Sequence, residues 1–381
     1  MTRRERNDRG SNRWGSAPRE TTRRAFLARV GAAAGTALGA ALAGCGYRPG
    51  GGDIRWRDER AGHAVADADT AGVAGETVYA LDHDTRFINF DREADPSEMF
   101  TRGSVVDAFG TDRGRPLWDE THEAGMACSA VGPDGAAAAT GAQVHRYTGE
   151  GQAWTASVPG EVRAVAPAGD RVYALAAGTL YATAGGTTRW GADTDPVSDP
   201  ESMDVAASGS VAVCGDAGGV VGFAPDGRRR WRRTDLRARG VTVADPGVLV
   251  VATGGLAVLD PGTGETRWRY DERGIRGPPA VGPEGVYVET LGGVLALDPE
   301  GTERWSVSLS PRERRPVVAD ERGVFVAEEF DLDAGEPLLR LDRTDGTTRW
   351  SVTYERITAG PFLAPSGVLV AAEGDLVCHV P

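Results

Sequence analysis

The chain has 381 residues, with 42 basic and 55 acidic side chains and a net charge of −13, and every basic residue is arginine because lysine is absent. So acidic a surface repels nucleic acid and anionic lipid, and neither is expected as a partner. Hydrophobic residues make up 40% of the chain, enough for a large core, while the missing lysine and the mere four isoleucines fit an extreme halophile whose medium screens the self-repulsion.

The first element in chain order is an export signal. Thr22-Arg23-Arg24-Ala25-Phe26-Leu27 resembles a twin-arginine motif, with Arg23 and Arg24 as the paired basic residues. Residues 30–43 form an apolar run of 14, too short to span a bilayer and suited to the hydrophobic region of a signal peptide. The run ends in Leu42-Ala43-Gly44-Cys45, which resembles a lipobox, and cleavage before Cys45 would free its thiol for lipid attachment. The expected organisation is a signal peptide at 1–44, a lipid-anchored linker at 45–52 and a folded domain at 53–381. The expected location is the outer face of the cell membrane, and a monomer is expected. The first 44 residues hold nine arginines and three acids, so the remainder carries 33 basic and 52 acidic residues, a net of −19. No later stretch reaches the length of a membrane span.

Next come eight regularly placed tryptophans: Trp56, Trp118, Trp154, Trp190, Trp231, Trp268, Trp305 and Trp350. From Trp118 the steps are 36, 36, 41, 37, 37 and 45 residues, a period that marks a β-propeller. Each unit holds four short apolar runs bounded by Gly, Pro and Asp, as antiparallel strands with tight hairpins require. In the unit ending at Trp305 these are residues 277–281, 285–289, 294–298 and 304–307. A glycine stands four residues before tryptophan in seven of eight cases, Trp154 being the exception, and supplies a turn into the fourth strand. Arginine precedes tryptophan at Arg55, Arg189, Arg230, Arg267, Arg304 and Arg349. These read as solvated residues of outer strands rather than as an anion-binding belt.

Seven units end in tryptophan, from Trp118 to Trp350, with a lone fourth strand around Trp56 before them and three strands (360–364, 367–371 and 376–380) after them. The expected fold is therefore all-β, an eight-bladed propeller of four-stranded antiparallel blades closed by one N-terminal and three C-terminal strands. Two units carry insertions, at 85–103 and 328–337, both between second and third strands, so both should emerge on one face and serve partner contacts.

The turn into each tryptophan strand resembles the A-x-D-x-x-T-G-x-x-x-W docking motif of pyrroloquinoline-quinone-type propeller repeats. The best match runs from Val258 through Asp260, Thr263 and Gly264 to Trp268, and 340–350 keeps Asp342, Gly346 and Trp350. The resemblance covers the chain from about Gly52 to its end. It implies a ring whose eight tryptophans dock neighbouring sheets. The family contains quinoprotein dehydrogenases and non-enzymatic relatives such as the propeller lipoproteins of the outer-membrane barrel-assembly machinery, and this chain resembles the latter more. The dehydrogenases carry a vicinal cysteine pair and an asparagine beside calcium; this chain has no Cys-Cys, and Asn89 is its only asparagine beyond the signal region. Quinone and calcium are therefore not expected as cofactors.

Other chemistry is sparse. No two of the histidines at 63, 83, 122, 145 and 379 lie at ligand spacing on one element. Asp82-His83-Asp84 reads as an acidic turn, and Glu328, Glu329, Asp331, Asp333 and Glu336 as a solvated loop rather than a calcium site. Cys128, Cys214 and Cys378 fall in non-neighbouring units and read as small buried side chains. No catalytic, cofactor or metal residue is assigned. The expected function is a lipid-anchored, non-enzymatic scaffold whose loops on one face dock a protein. The alternatives are a quinone-dependent dehydrogenase with a diverged site and a sugar-binding surface propeller.

Overall fold

A computed structural model describes residues 51–88, 100–194, 200–205, 211–215, 219–245, 247–271, 274–309, 316–328 and 335–381. Arg23, Arg24, Cys45 and Asn89 lie outside them. The strands form eight four-stranded antiparallel sheets. Seven are blades continuous in sequence, each made from four consecutive strands, spanning residues 70–122, 128–157, 162–193, 200–233, 238–270, 276–308 and 318–354. They are numbered here as blades 1 to 7. The remaining sheet is a composite of Ile54–Asp58 with Ile357–Ala364, Gly367–Ala372 and Asp375–His379.

The expected eight-bladed count is corrected by this arrangement. The repeat itself yields seven blades, and the further sheet is assembled from the two ends of the chain. The all-β class and the four-stranded sheets stand, and a short helix accompanies them. Immediately after Asp58 the chain forms a helix, α1 (Glu59–Asp67). Asp58 caps it by accepting from the Ala61 backbone N–H at 2.9 Å, and Glu59 places a negative charge in its first turn. Its buried residues Ala61, Gly62 and Val65 face the composite sheet. A Cβ on Gly62 would fall 2.3 Å from the Asp375 backbone, so only glycine permits this approach.

The first strand of each blade is innermost, as is Ile357–Ala364 in the composite sheet, and these strands touch in ring order, with Ile357–Ala364 meeting the first strands of blades 1 and 7. The strand Ile54–Asp58 pairs with the last strand, Ile54 opposite His379 and Asp58 opposite Leu376. Eight apolar clusters fill the seams between neighbouring sheets, one per seam. Tyr79, Tyr147, Phe223, Tyr287 and Phe325 are among the fully buried side chains there. Burial of such side chains between sheets is the main force holding the ring.

Five of the tryptophans add a directional link across their seams. Trp231 of blade 4 donates from Nε1 to Pro261 O of blade 5 at 3.0 Å, and its ring lies against Gly264, whose φ is +72°. Equivalent bonds run from Trp118 to Gly149, Trp190 to Pro225, Trp268 to Pro299 and Trp305 to Arg343. Trp350 lies against Gly51 and Gly52, and Trp56 against Gly114, so the relay crosses the composite sheet on both sides. Those two indole N–H groups are buried and have no partner among the described residues.

Candidate functional site

Alternating strand directions sort the connections onto two faces. Turns between first and second strands open on one face, the turn face. Crossovers from a fourth strand to the next first strand open on the other, together with hairpins between second and third strands.

On the turn face, blades 1, 6, 7 and the composite sheet surround a cavity of about 650 Å³. Val73, Val281, Ala319 and Leu363 supply its apolar wall. Its guanidinium belongs to Arg322, which bonds to Asp320 Oδ2 at 2.6 Å and donates to Ala364 O at 2.8 Å. That charge is thus spent on linking blade 7 to the composite sheet.

On the crossover face, blade 1 differs from the blades whose corresponding hairpins are fully described. Its second and third strands, Thr77–Ile88 and Phe100–Gly110, stay paired out to Ile88 opposite Phe100. The corresponding hairpins of blades 2, 3, 5 and 6 close at Thr140/Gln143, Ala176/Thr179, Ala252/Gly255 and Thr290/Gly293. Blade 1 therefore raises a two-stranded arm above the ring. At its base, His83 Nε2 lies 2.6 Å from Ser129 Oγ of blade 2, and the Asp69 carboxylate accepts from the His83 backbone N–H at 2.7 Å while sitting 3.9 Å from Nδ1. The backbone of Met126 also donates to His83 O. The expected acidic turn at 82–84 is in fact strand, and its histidine ties the arm to the blade 1–blade 2 crossover.

A second histidine pair lies further out in the same seam. His122 and His145 have ring centroids 4.5 Å apart. His122 Nε2 contacts Tyr147 Oη at 2.6 Å, and His145 contacts Thr140, Gln152 and Thr155 at 2.8, 3.0 and 3.1 Å. Burial holds both imidazoles below their usual range and pushes the Glu120 carboxyl above its own. Sequence reasoning missed this pair because its members lie 23 residues apart on two different, adjacent blades. A signal did exist: third strands carry Leu295-Ala296 in blade 6 where blade 2 carries His145-Arg146, both paired to the tryptophan strand in the same register. Arg146 is also buried, donating to the backbone oxygens of Ala136, Tyr147, Asp134 and Gly169.

The acidic insertion of the seventh unit is only partly described, since Glu329, Asp331 and Asp333 lie outside. Its flanking residues are structural: Glu336 is buried and accepts from Ile357 N at 2.6 Å, joining blade 7 to the composite sheet, and Glu328 N donates to Pro337 O. Among the described residues no group of three or more His, Cys, Asp or Glu is placed to hold a metal ion. Burial pushes the Cys128 thiol up to about 12, so it is inert near neutrality. Cys378 is free and buried. No helix of the described residues is long and apolar enough to cross a membrane.

A family model described as "Outer membrane protein assembly factor BamB" matches residues 102–252 and 252–379. No curated protein matches. Among solved structures, BamB from Moraxella catarrhalis is 16% identical, with 82% of this chain and 96% of that chain covered and a TM-score of 0.57. Sqt1 from Saccharomyces cerevisiae is 12% identical, with 87% and 100% covered and a TM-score of 0.59. The C-terminal WD40 domain of Sif2 is 11% identical, with 87% and 97% covered and a TM-score of 0.55. At these identities the structural likeness shows the fold alone.

Proposed function

Since the chain belongs to the BamB family of outer membrane protein assembly factors, we propose that it is a non-enzymatic scaffold, lipid-anchored at Cys45, that docks a protein partner on its crossover face. The observation that carries the reading is the blade 1 arm, paired to Ile88/Phe100 while the two-residue hairpins of its neighbours stop at the ring. A two-stranded arm extends paired backbone past the turns of its neighbours, as partner-binding loops do. Arg23, Arg24 and the Leu42–Cys45 motif support export and anchoring on the outer face of the membrane. The ring's eight tightly filled seams support a rigid platform rather than a hinged site.

The reading is tested by photocrosslinking in intact cells of the source organism. Deleting 89–99 should abolish the protein crosslinks of the crossover face and leave the melting temperature within a few degrees. Unchanged crosslinks would defeat the arm's assignment. Reduction of a dye by purified protein supplied with pyrroloquinoline quinone, calcium and an alcohol would defeat the non-enzymatic one. Cys45→Ser should eliminate lipid labelling and release the protein from membranes.

A further inference from the structure

Blade 4 departs from the charge pattern of every other blade at its outer edge. Residues 228–239 hold seven arginines and one carboxylate, Asp235, in a chain whose net charge is −13. Aligned on tryptophan, the turn and fourth strand of blade 6 read Asp298-Pro299-Glu300-Gly301-Thr302-Glu303-Arg304-Trp305, and those of blade 4 read Ala224-Pro225-Asp226-Gly227-Arg228-Arg229-Arg230-Trp231. Blade 4 thus loses the carboxylate that opens the turn and replaces a threonine and a glutamate with arginine.

The arginine before tryptophan is neutralised in three other blades. Arg267 bonds to Asp260 at 2.8 Å, Arg304 to Glu284 at 2.6 Å and Arg349 to Asp342 at 2.6 Å. Arg269, next to Trp268, is held by Asp271 at 2.5 Å. In blade 4 Arg233 is held by Asp235 at 2.7 Å, and it also donates to Gly264 O of blade 5. Arg228, Arg230 and Arg232 are exposed and make no ion pair with a described carboxylate. Alternation explains the division of labour. Trp231 and Arg233 face blade 5, whereas Arg230 and Arg232 point to the opposite side of the strand.

The strand that carries them, Arg229–Arg233, ends its sheet: it pairs with Gly219–Phe223 on one side and with no described strand on the other. Its outer row of backbone N–H and C=O groups is therefore open to an added strand. We propose that this edge is a docking strand for an extended acidic segment of a partner protein, which pairs with it through the backbone and sets carboxylates opposite Arg230 and Arg232. Side chains directly across an antiparallel pair stand about 5 Å apart, within reach of an arginine–carboxylate contact. The same guanidinium row repels a basic strand, so charge selects the ligand. The acidic remainder of the surface repels free polyanions, so attraction is confined to this edge. The inference rests on the scaffold reading only in taking a protein as the ligand, and it concerns the rim rather than the blade 1 arm.

The test uses the purified full chain and a fluorescent peptide of alternating valine and glutamate, read by anisotropy at about 0.1 M salt. Saturable binding is expected. The triple variant Arg228→Ser, Arg230→Ser, Arg232→Ser should bind about tenfold more weakly, as the loss of the ion pairs at Arg230 and Arg232 and of the neighbouring Arg228 charge implies. The matching Arg→Lys triple should recover most of the affinity, and deletion of 89–99 should change nothing, which separates this result from failure of the arm. Melting temperatures of the variants report that the ring is intact. Absence of saturable binding, or equal binding by wild type and the serine triple, would overturn the proposal. So would equal binding of a peptide N-methylated at alternate amides, which cannot pair as a strand, or arginine-dependent binding of phosphatidylglycerol vesicles in place of the peptide.

Discussion

A tryptophan in this ring does two separable things. The Trp231 indole fills the seam between blades 4 and 5, and its N–H bonds to Pro261 O at 3.0 Å. Trp231→Phe should cost about 1 kcal/mol, chiefly the hydrogen bond, whereas Trp231→Ala should cost about 3–5 kcal/mol by opening a cavity; chemical denaturation of both variants checks the order. Where a glycine lies beneath an indole it is equally specific. A Cβ on Gly301 would lie 2.5 Å from the Trp268 ring, at a φ of +87° that disfavours any side chain. Both positions were legible in the sequence because the repeat displays them again and again. His145 and Ser129 were not, because each occurs once, in one blade, and its partner arrives from another strand of the fold. The arginine row was visible too, yet its pairing state depends on carboxylates that only coordinates bring near it.

Helix α1 is where local signals were present and outweighed by the repeat. Asp58 is an N-cap residue, and Ala61 and Val65 stand four apart on one helical face. The surrounding strand pattern masked them. The helix closes over the composite sheet, and Gly62→Leu should displace it from the Asp375–Leu376 backbone while leaving the blades paired. Amide exchange should then rise in Asp375–His379 and remain low in blades 3 to 6. The blade 1–blade 2 seam makes a different prediction. His122 and His145 are kept below their ordinary value of 6.5 by burial. Below that value the unfolded chain takes up protons that the folded imidazoles refuse, so this contribution is complete above about pH 6.5 and is lost as pH falls toward the depressed values. His379, buried against Tyr354 and Gly52 O at the chain-end sheet, acts in the same direction. Replacing His122 and His145 by glutamine should therefore reduce the drop in melting temperature between about pH 7.5 and pH 5.5.

At the scale of the whole molecule, closure depends on the pairing of Ile54–Asp58 with Asp375–His379. Removing residues 51–58 would strip the composite sheet of its outer strand and take Gly51 and Gly52 from beneath Trp350 and Trp56 from above Gly114. The ring should then unfold at a lower temperature, with blades 1 and 7 exchanging first. The net charge of −13 sets a second global property. Raising salt from about 0.1 M to about 1 M shortens the screening length from about 10 Å to about 3 Å, so melting temperature should climb with salt.

The sequence by itself determined the repeat, its four-strand unit and the tryptophan–glycine docking, because these rest on local periodicity and turn chemistry that neighbouring residues carry within one unit. It also showed two incomplete ends. Only the tertiary structure decided that a helix closes over the sheet the two ends share, that histidines from separate blades meet in a seam, and which arginines are left without a carboxylate. Those are contacts between residues far apart in the chain, and a ring brings them together through rigid packing of whole sheets, for which no local pattern stands.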